Sequence, residues 1–339
     1  MNKLELSCML PEEITNALSL KQNFRGMQIF KWLSSNVQSF DEMTNLPLDL
    51  RNILKKKALI RTSTIAETLV DPDGTIKLQI ELQDGNKIET VLLIDAENRK
   101  TACVSCQAGC AMGCKFCKTG TLGLSRNLTA GEIVEEFRYL EEKAGKLDNI
   151  VFMGMGEPLM NLDAIRKSLK ILSHSEGRNL SMRRVTISTC GIVKGIYDLA
   201  DNGPAVRLAV SLTTADSELR STLMPVNKKN PLPELKKAIY YFTKKTGKRC
   251  TLEAALLGDV NTDTKSIDRM IDFTKNLPIH VNLIPWNPVP ELPYHEPTRK
   301  ECTNFILALE SAGINVTQRA KRGRKIGGSC GQLGKTITE

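Results

Sequence analysis

Short apolar runs, separated by longer stretches with helical spacing, dominate the chain from about residue 100 onward. This pattern predicts strands near 102–105, 149–153, 184–188, 206–212, 251–256, 281–284 and 314–318. Runs this short and continuous suit strands buried on both faces, and the long connections leave room for helices. Repetition of β then α calls for parallel strands joined by right-handed crossovers, and six such units make an open, partial barrel. Upstream the period changes to two. Thr75-Ile76-Lys77-Leu78-Gln79-Ile80-Glu81-Leu82 alternates between the turn signals Asp71-Pro72-Asp73-Gly74 and Asp84-Gly85-Asn86, and Lys87–Ile94 returns. The first 65 residues read as helical. Pro11-Glu12-Glu13 opens one helix, and residues 26–33 carry apolar side chains at helical spacing. Asn45-Leu46-Pro47 offers a polar cap and an early proline to a third helix, which ends in Lys55-Lys56-Lys57. The expected class is α/β: a small helical domain over 1–65, a linking β-hairpin over 66–98, and a partial (βα)6 barrel over 99–339.

Composition adds location and partner. The chain begins Met1-Asn2-Lys3-Leu4-Glu5 without the apolar core of a secretion signal, and no apolar run approaches a bilayer's thickness. A cytoplasmic protein that meets no membrane is expected. The net charge of +9 points to a polyanionic partner such as RNA. Ten cysteines are many for a reducing compartment, and five of them fall in the fifteen residues from Cys103 to Cys117. Clustering of this kind points to metal chemistry rather than to disulfides.

Within that stretch, Cys110, Cys114 and Cys117 have the spacing C-x3-C-x2-C, with Phe116 before the last cysteine. Three thiolates for four irons leave one iron open to a small ligand. A zinc site would more often show two C-x2-C hooks, and only one stands here. Other candidates follow strand ends, where open α/β sheets bind ligands. They are Gly154-Met155-Gly156-Glu157-Pro158, the hydroxyl-bearing ends at Ser188 and at Ser211-Leu212-Thr213, and Asn287 in Pro285-Trp286-Asn287-Pro288. Near the C-terminus, Ile326-Gly327-Gly328-Ser329-Cys330-Gly331-Gln332-Leu333 places a lone cysteine among glycines, on what should be a mobile, accessible loop. Five cations between Arg319 and Lys325 precede it, placed to meet phosphates.

The C-x3-C-x2-C motif resembles the radical S-adenosylmethionine superfamily. With Phe24-Arg25-Gly26, Glu89-Thr90-Val91, Cys103-Val104-Ser105, the Gly-Met-Gly-Glu-Pro turn and Ser329-Cys330-Gly331-Gln332-Leu333 in order, nearly the whole chain resembles the RlmN/Cfr family of radical RNA methyltransferases. The resemblance implies a radical-SAM barrel with one 4Fe-4S cluster on Cys110, Cys114 and Cys117. It implies S-adenosylmethionine contacts from Gly156, Glu157, Ser188, Ser211, Leu212, Thr213 and Asn287. Cys330 would take a methyl group, Cys103 would resolve the resulting protein–RNA adduct, and Glu89 would assist proton transfer. Release would leave a Cys103–Cys330 disulfide that must be reduced. The implied reaction is methylation of adenosine C2 in 23S rRNA, with tRNA next to the anticodon as a further target. The implied partner is an electron donor such as flavodoxin or ferredoxin, acting on a monomer. Methylation at C8 is the close alternative, and a non-catalytic iron–sulfur RNA-binding protein is the distant one. The chain departs from the family at Thr213, usually histidine, and at Cys106 and Cys190, usually serine; Cys106 stands close enough in sequence to Cys103 to compete with it.

Overall fold

The computed structural model describes residues 3–334. Met1, Asn2 and the last five residues, which the expected first and last domains include, lie outside the described residues. Helices α1 (Pro11–Ala17), α2 (Asn23–Ser34) and α3 (Leu48–Lys57) form the N-terminal part, where β1 (Leu4–Glu5) pairs in parallel with β2 (Ala58–Leu59). Asn45 does not cap α3. Its Oδ1 accepts from Trp32 Nε1 at 2.7 Å, and Pro47 holds the cap position. The lysines ending α3 complement its dipole, with Lys55 paired to Asp41 at 2.6 Å.

Every strand expected after residue 100 is present. β6 (Lys100–Cys103) is followed by the small hairpin β7 (Gln107–Cys110) and β8 (Gly123–Asn127), with the single turn α4 (Lys118–Thr121) between them. Then α5 (Ala130–Ala144), β9 (Asn149–Phe152), α6 (Leu162–Ser173), β10 (Val185–Thr189), α7 (Val193–Asn202) and β11 (Arg207–Ser211) alternate. Two helices, α8 (Ser217–Leu223) and α9 (Leu232–Thr246), precede β12 (Cys250–Leu256). The series closes with α10 (Thr264–Thr274), β13 (Ile279–Pro285), α11 (Arg299–Ser311) and β14 (Val316–Gln318). β6 and β9–β14 pair in parallel in chain order, giving the open barrel. Helices bury one stripe against it; α6 turns Leu162, Ile165, Leu169 and Leu172 inward.

The segment before residue 100 is more than a linking hairpin. β3 (Thr64–Val70), β4 (Ile76–Glu81) and β5 (Lys87–Ile94) are three antiparallel strands, and β5 pairs with β6. They extend the barrel sheet to ten strands. β3 escapes sequence reading because no position in it is fully buried, so its pattern shows no core-facing apolar set.

A buried carboxylate helps tie the N-terminal part to the barrel. Glu135 on α5 accepts from Ser7 Oγ at 2.7 Å, from the Thr62 and Ser63 N–H groups at 2.9 and 3.0 Å, and from the Ser63 hydroxyl. Glu135 has no exposed surface, so losing it strands several buried donors. Glu135→Leu should lower unfolding free energy by about 3–5 kcal/mol and open the 59–64 connection to proteases. Denaturant titration with limited proteolysis checks this, and an unchanged midpoint would refute it.

Candidate active site

The three motif cysteines stand on the β7–β8 hairpin and the loop it carries. Cys110 ends β7, Cys117 caps α4, and Cys114 lies between them. The loop is wound tightly: Cys117 N–H donates to the Cys114 carbonyl at 3.2 Å and Gly120 N–H to that of Cys117 at 3.1 Å. A Cβ on Gly120 would stand 2.7 Å from the Cys114 carbonyl oxygen, so only glycine fits. Surrounding elements fix the loop from outside. Lys115 N–H donates to the Leu223 carbonyl at 2.9 Å, and Trp286 Nε1 donates to that of Phe116 at 2.9 Å.

All three cysteines line one cavity, together with Gly156, Glu157, Ser188, Ser211, Thr213 and Asn287. These residues come from the carboxyl ends of β9, β10, β11 and β13, the ligand-binding edge of such sheets. Leu212 does not join them. It is fully buried, and it touches the site only through its backbone: its N–H donates to the Glu253 carbonyl at 2.9 Å. The glycines of the Gly-Met-Gly-Glu-Pro turn serve close chain packing. A Cβ on Gly154 would stand 2.7 Å from Val104 backbone atoms, and one on Gly156 (φ +102°) 2.6 Å from Gln107 Cβ. That turn brings Glu157 into the cavity wall, where its carboxylate accepts from Cys190 N–H at 2.8 Å and Leu159 N–H at 3.1 Å. Burial raises its pKa, opposed by these contacts.

Thr213 occupies left-handed backbone at φ +62°, unusual for a β-branched residue. Its N–H meets the Glu253 carbonyl at 3.2 Å, and its carbonyl accepts from Asn261 Nδ2 at 2.9 Å. Thr189 lines the same cavity, and its hydroxyl accepts from Gly191 N–H at 3.0 Å. Behind the cavity lies Arg220, a residue that sequence reading passed over. It is fully buried and donates to the carbonyls of Cys190 (2.7 Å), Leu212 (3.1 Å) and Ser211 (3.3 Å) and to Asn227 Oδ1 (2.9 Å). Its charge joins the ends of β10 and β11, although burial draws its pKa down to about 10.

The donor set suits a cluster. Burial pushes the Cys110 thiol up to about 11 and raises Cys114 and Cys117, and Cys110 and Cys114 feel the charge of their companions as well. Bare thiols so placed hold their protons, and a bound metal centre displaces them. Among the described residues no trio of His, Cys, Asp or Glu converges on a single ion. A cubane does not need that convergence, because each thiolate bonds a different iron. Asn287 Oδ1 is buried without a partner in the same wall, an acceptor free for a ligand's amino or hydroxyl group.

A second cavity abuts the first, and Met153, Ile284, Asn287, Arg319 and Cys330 line both. Cys103 lines only the second. Its thiol is pushed up to about 12, chiefly by burial, with the Cys330 charge adding and Arg319 opposing. The Cys330 segment is packed rather than loose. Lys118 N–H donates to the Gly331 carbonyl at 2.8 Å, Asn287 Nδ2 to that of Cys330 at 3.1 Å, and Thr119 Oγ1 to that of Leu333 at 2.7 Å. All ten cysteines are free thiols, Cys103 and Cys330 included. Cys106 lines neither cavity, and its thiol faces the Met155 carbonyl at 3.6 Å.

The cationic run divides. Arg319 turns inward between the cavities, where the charges of Cys330, Glu253 and Cys103 raise its pKa. Lys321 and Arg324 pair with Glu296. Glu89 is buried and lines neither cavity. Glu253, which also lines the first cavity, was no sequence candidate. The steric limit at Gly154 gives a direct check on this geometry. Gly154→Ala should destabilise by about 1–3 kcal/mol and weaken iron retention, read by denaturant unfolding and iron analysis. A variant of wild-type stability would contradict the packing described.

Known proteins place this geometry. Residues 104–271 match the Radical SAM superfamily, and residues 18–60 match the ribosomal RNA large subunit methyltransferase N-terminal domain. A probable dual-specificity RNA methyltransferase RlmN of Treponema denticola is 58% identical over 334 residues, covering 98% of this chain and 96% of that one. Its namesake in Treponema pallidum strain Nichols is 51% identical over 331 residues, covering 98% and 97%. A solved radical SAM methyltransferase from Sphaerobacter thermophilus superposes with a TM-score of 0.94 at 39% identity, covering 97% of this chain and 99% of that one. With both cavities lined as described, the chain belongs to the RlmN family of radical S-adenosylmethionine RNA methyltransferases.

Proposed function

We propose that this enzyme methylates C2 of an adenosine in 23S rRNA, and in tRNA beside the anticodon, through a methyl-cysteine at Cys330. The observation that carries the reading is the position of Cys330, on the wall that two adjoining cavities share. A thiol there can take a methyl group from a donor on one side and present it to a base on the other.

Cys110, Cys114 and Cys117 would hold a 4Fe-4S cluster, and Gly156, Glu157, Ser188, Ser211, Thr213 and Asn287 would hold S-adenosylmethionine beside it. When bound, that pair supplies the 5′-deoxyadenosyl radical, given an electron donor such as flavodoxin or ferredoxin. The protein's own contributions are positional and protic. The Cys330 thiol loses its proton and its sulfur bonds the methyl carbon of one S-adenosylmethionine, from which S-adenosylhomocysteine departs. Cys103, buried across the second cavity, takes the ring proton; its sulfur then attacks that of Cys330 and breaks the bond to the transferred carbon, which takes a proton to become the methyl group as the disulfide closes and the RNA product leaves. Two electrons from a thiol reductant reopen it. Arg319, whose charge feels both Cys330 and Cys103, offsets thiolate charge at the shared wall. Arg322, on the rim of the second cavity, and the exposed Lys325 are placed to meet RNA phosphates. Glu89 lines neither cavity, so we give it no proton-transfer step. No helix among the described residues is long and apolar enough to cross a membrane, and we assign the enzyme to the cytoplasm as a monomer.

Anaerobic turnover with S-adenosylmethionine, reductant, 23S rRNA fragments and tRNA, followed by nucleoside mass spectrometry, should yield 2-methyladenosine. Finding 8-methyladenosine would replace the C2 assignment, and a protein that binds RNA without modifying it would remove the catalytic reading. Cys330→Ala should lower turnover on the order of a thousandfold or more while iron content stays at the wild-type level.

A further inference from the structure

Four side chains of the β3–β5 strands and their turn hold the segment that carries Cys330, and each meets a main-chain atom. Asp73 Oδ2 accepts from Gly323 N–H at 2.9 Å, and Asp71 Oδ2 accepts from Lys325 N–H at 2.9 Å. Lys77 Nζ donates to the Gly327 carbonyl at 3.4 Å, and Glu89 Oε2 accepts from Gly334 N–H at 2.7 Å. The last two contacts bracket Cys330. They are also joined to each other, because Lys77 Nζ stands 3.0 Å from Glu89 Oε1. That contact is an ion pair without hydrogen-bond alignment.

Both side chains are nearly closed to solvent, at 6% and 3% exposure, which makes the pair costly to assemble for stability alone. Its geometry supplies another reason for it. One end of the loop presents a carbonyl that needs a donor, and the other presents an N–H that needs an acceptor. An ion pair meets both needs at once, whereas an apolar pair of the same volume would leave both unmet. Glu89 also lines neither cavity, so its carboxylate does not face the reacting groups.

We propose that Lys77 and Glu89 form a latch that positions the Cys330 loop, and that Glu89 serves the reaction through this hold rather than by carrying a proton. The functional half of the inference rests on Cys330 as methyl acceptor. Both are positioning residues. In Glu89→Gln, the single amide oxygen can face Gly334 N–H or Lys77, not both, so one contact is lost in either rotamer.

The test is backbone hydrogen exchange over residues 323–334 in Lys77→Met, Glu89→Gln and Lys77→Arg, read beside peptide mass spectrometry of Cys330 methylation. Exchange over β10–β13 serves as the internal reference. Lys77→Met and Glu89→Gln should each speed loop exchange about tenfold or more with the reference unchanged, and lower Cys330 methylation together. Lys77→Arg should restore both. Loop exchange at the wild-type rate in Glu89→Gln would overturn the proposal. So would acceleration spread equally over β10–β13, which would mark the pair as a fold-wide strut. A protein–RNA adduct accumulating in Glu89→Gln with Cys330 fully methylated would reinstate proton transfer. Absence of methylated Cys330 in the wild type would remove the methyl-acceptor reading, while loop-specific exchange would still decide the hold.

Discussion

The Lys118 N–H donates to the Gly331 carbonyl at 2.8 Å, and that bond joins the loop of the motif cysteines to the loop of Cys330. Around it, Thr119 reaches the Leu333 carbonyl and Asn287 reaches that of Cys330, while Trp286 holds the Phe116 carbonyl. Three segments far apart in sequence thereby share one rigid junction. Each contact ends on a main-chain carbonyl, and three of the four donors are side chains, so the junction specifies where the backbone at Cys330 sits. The shared wall between the two cavities follows from it. Were the loops to separate, the cavities would merge and the thiol would lose its position between donor and base.

Charge is arranged around the same junction. Five buried or half-buried thiols line the first cavity, and burial raises those of the motif cysteines and of Cys190. Two arginines oppose that cost from inside the protein. Arg220 lowers the pKa of Cys114 from behind the cavity, and Arg319 does the same for Cys103 from the shared wall. Among the described residues neither makes an ion pair with a carboxylate at short range; Arg220 is satisfied by carbonyls and an amide. Their charge is therefore available to the sulfur chemistry.

Much of this was legible in the chain, and the exceptions have physical causes. The parallel strands announced themselves as short, mostly apolar runs recurring between longer helical stretches. The cysteine spacing read correctly as one loop because its geometry is local. Leu212 was drawn into the cofactor set by its neighbours, but side chains at strand ends alternate, and Ser211 and Thr213 facing the cavity leave Leu212 in the core. The strands over Thr64–Ile94 looked like a linker because their grip on residues 323–334 is non-local. The cationic run could not be divided from sequence either. Nothing in Arg319-Ala320-Lys321-Arg322 tells which guanidinium turns inward; only the β13–β14 register does.

The central claim is that Cys330 carries the transferred carbon between two cavities. Cys103→Ala, incubated anaerobically with S-adenosylmethionine, reductant and the RNA substrate, tests it most directly. After nuclease and protease digestion, mass spectrometry should find an adenosine nucleotide joined through one carbon to the peptide that contains Cys330. An adduct on any other cysteine, or methylated RNA released normally with no adduct, would contradict the account.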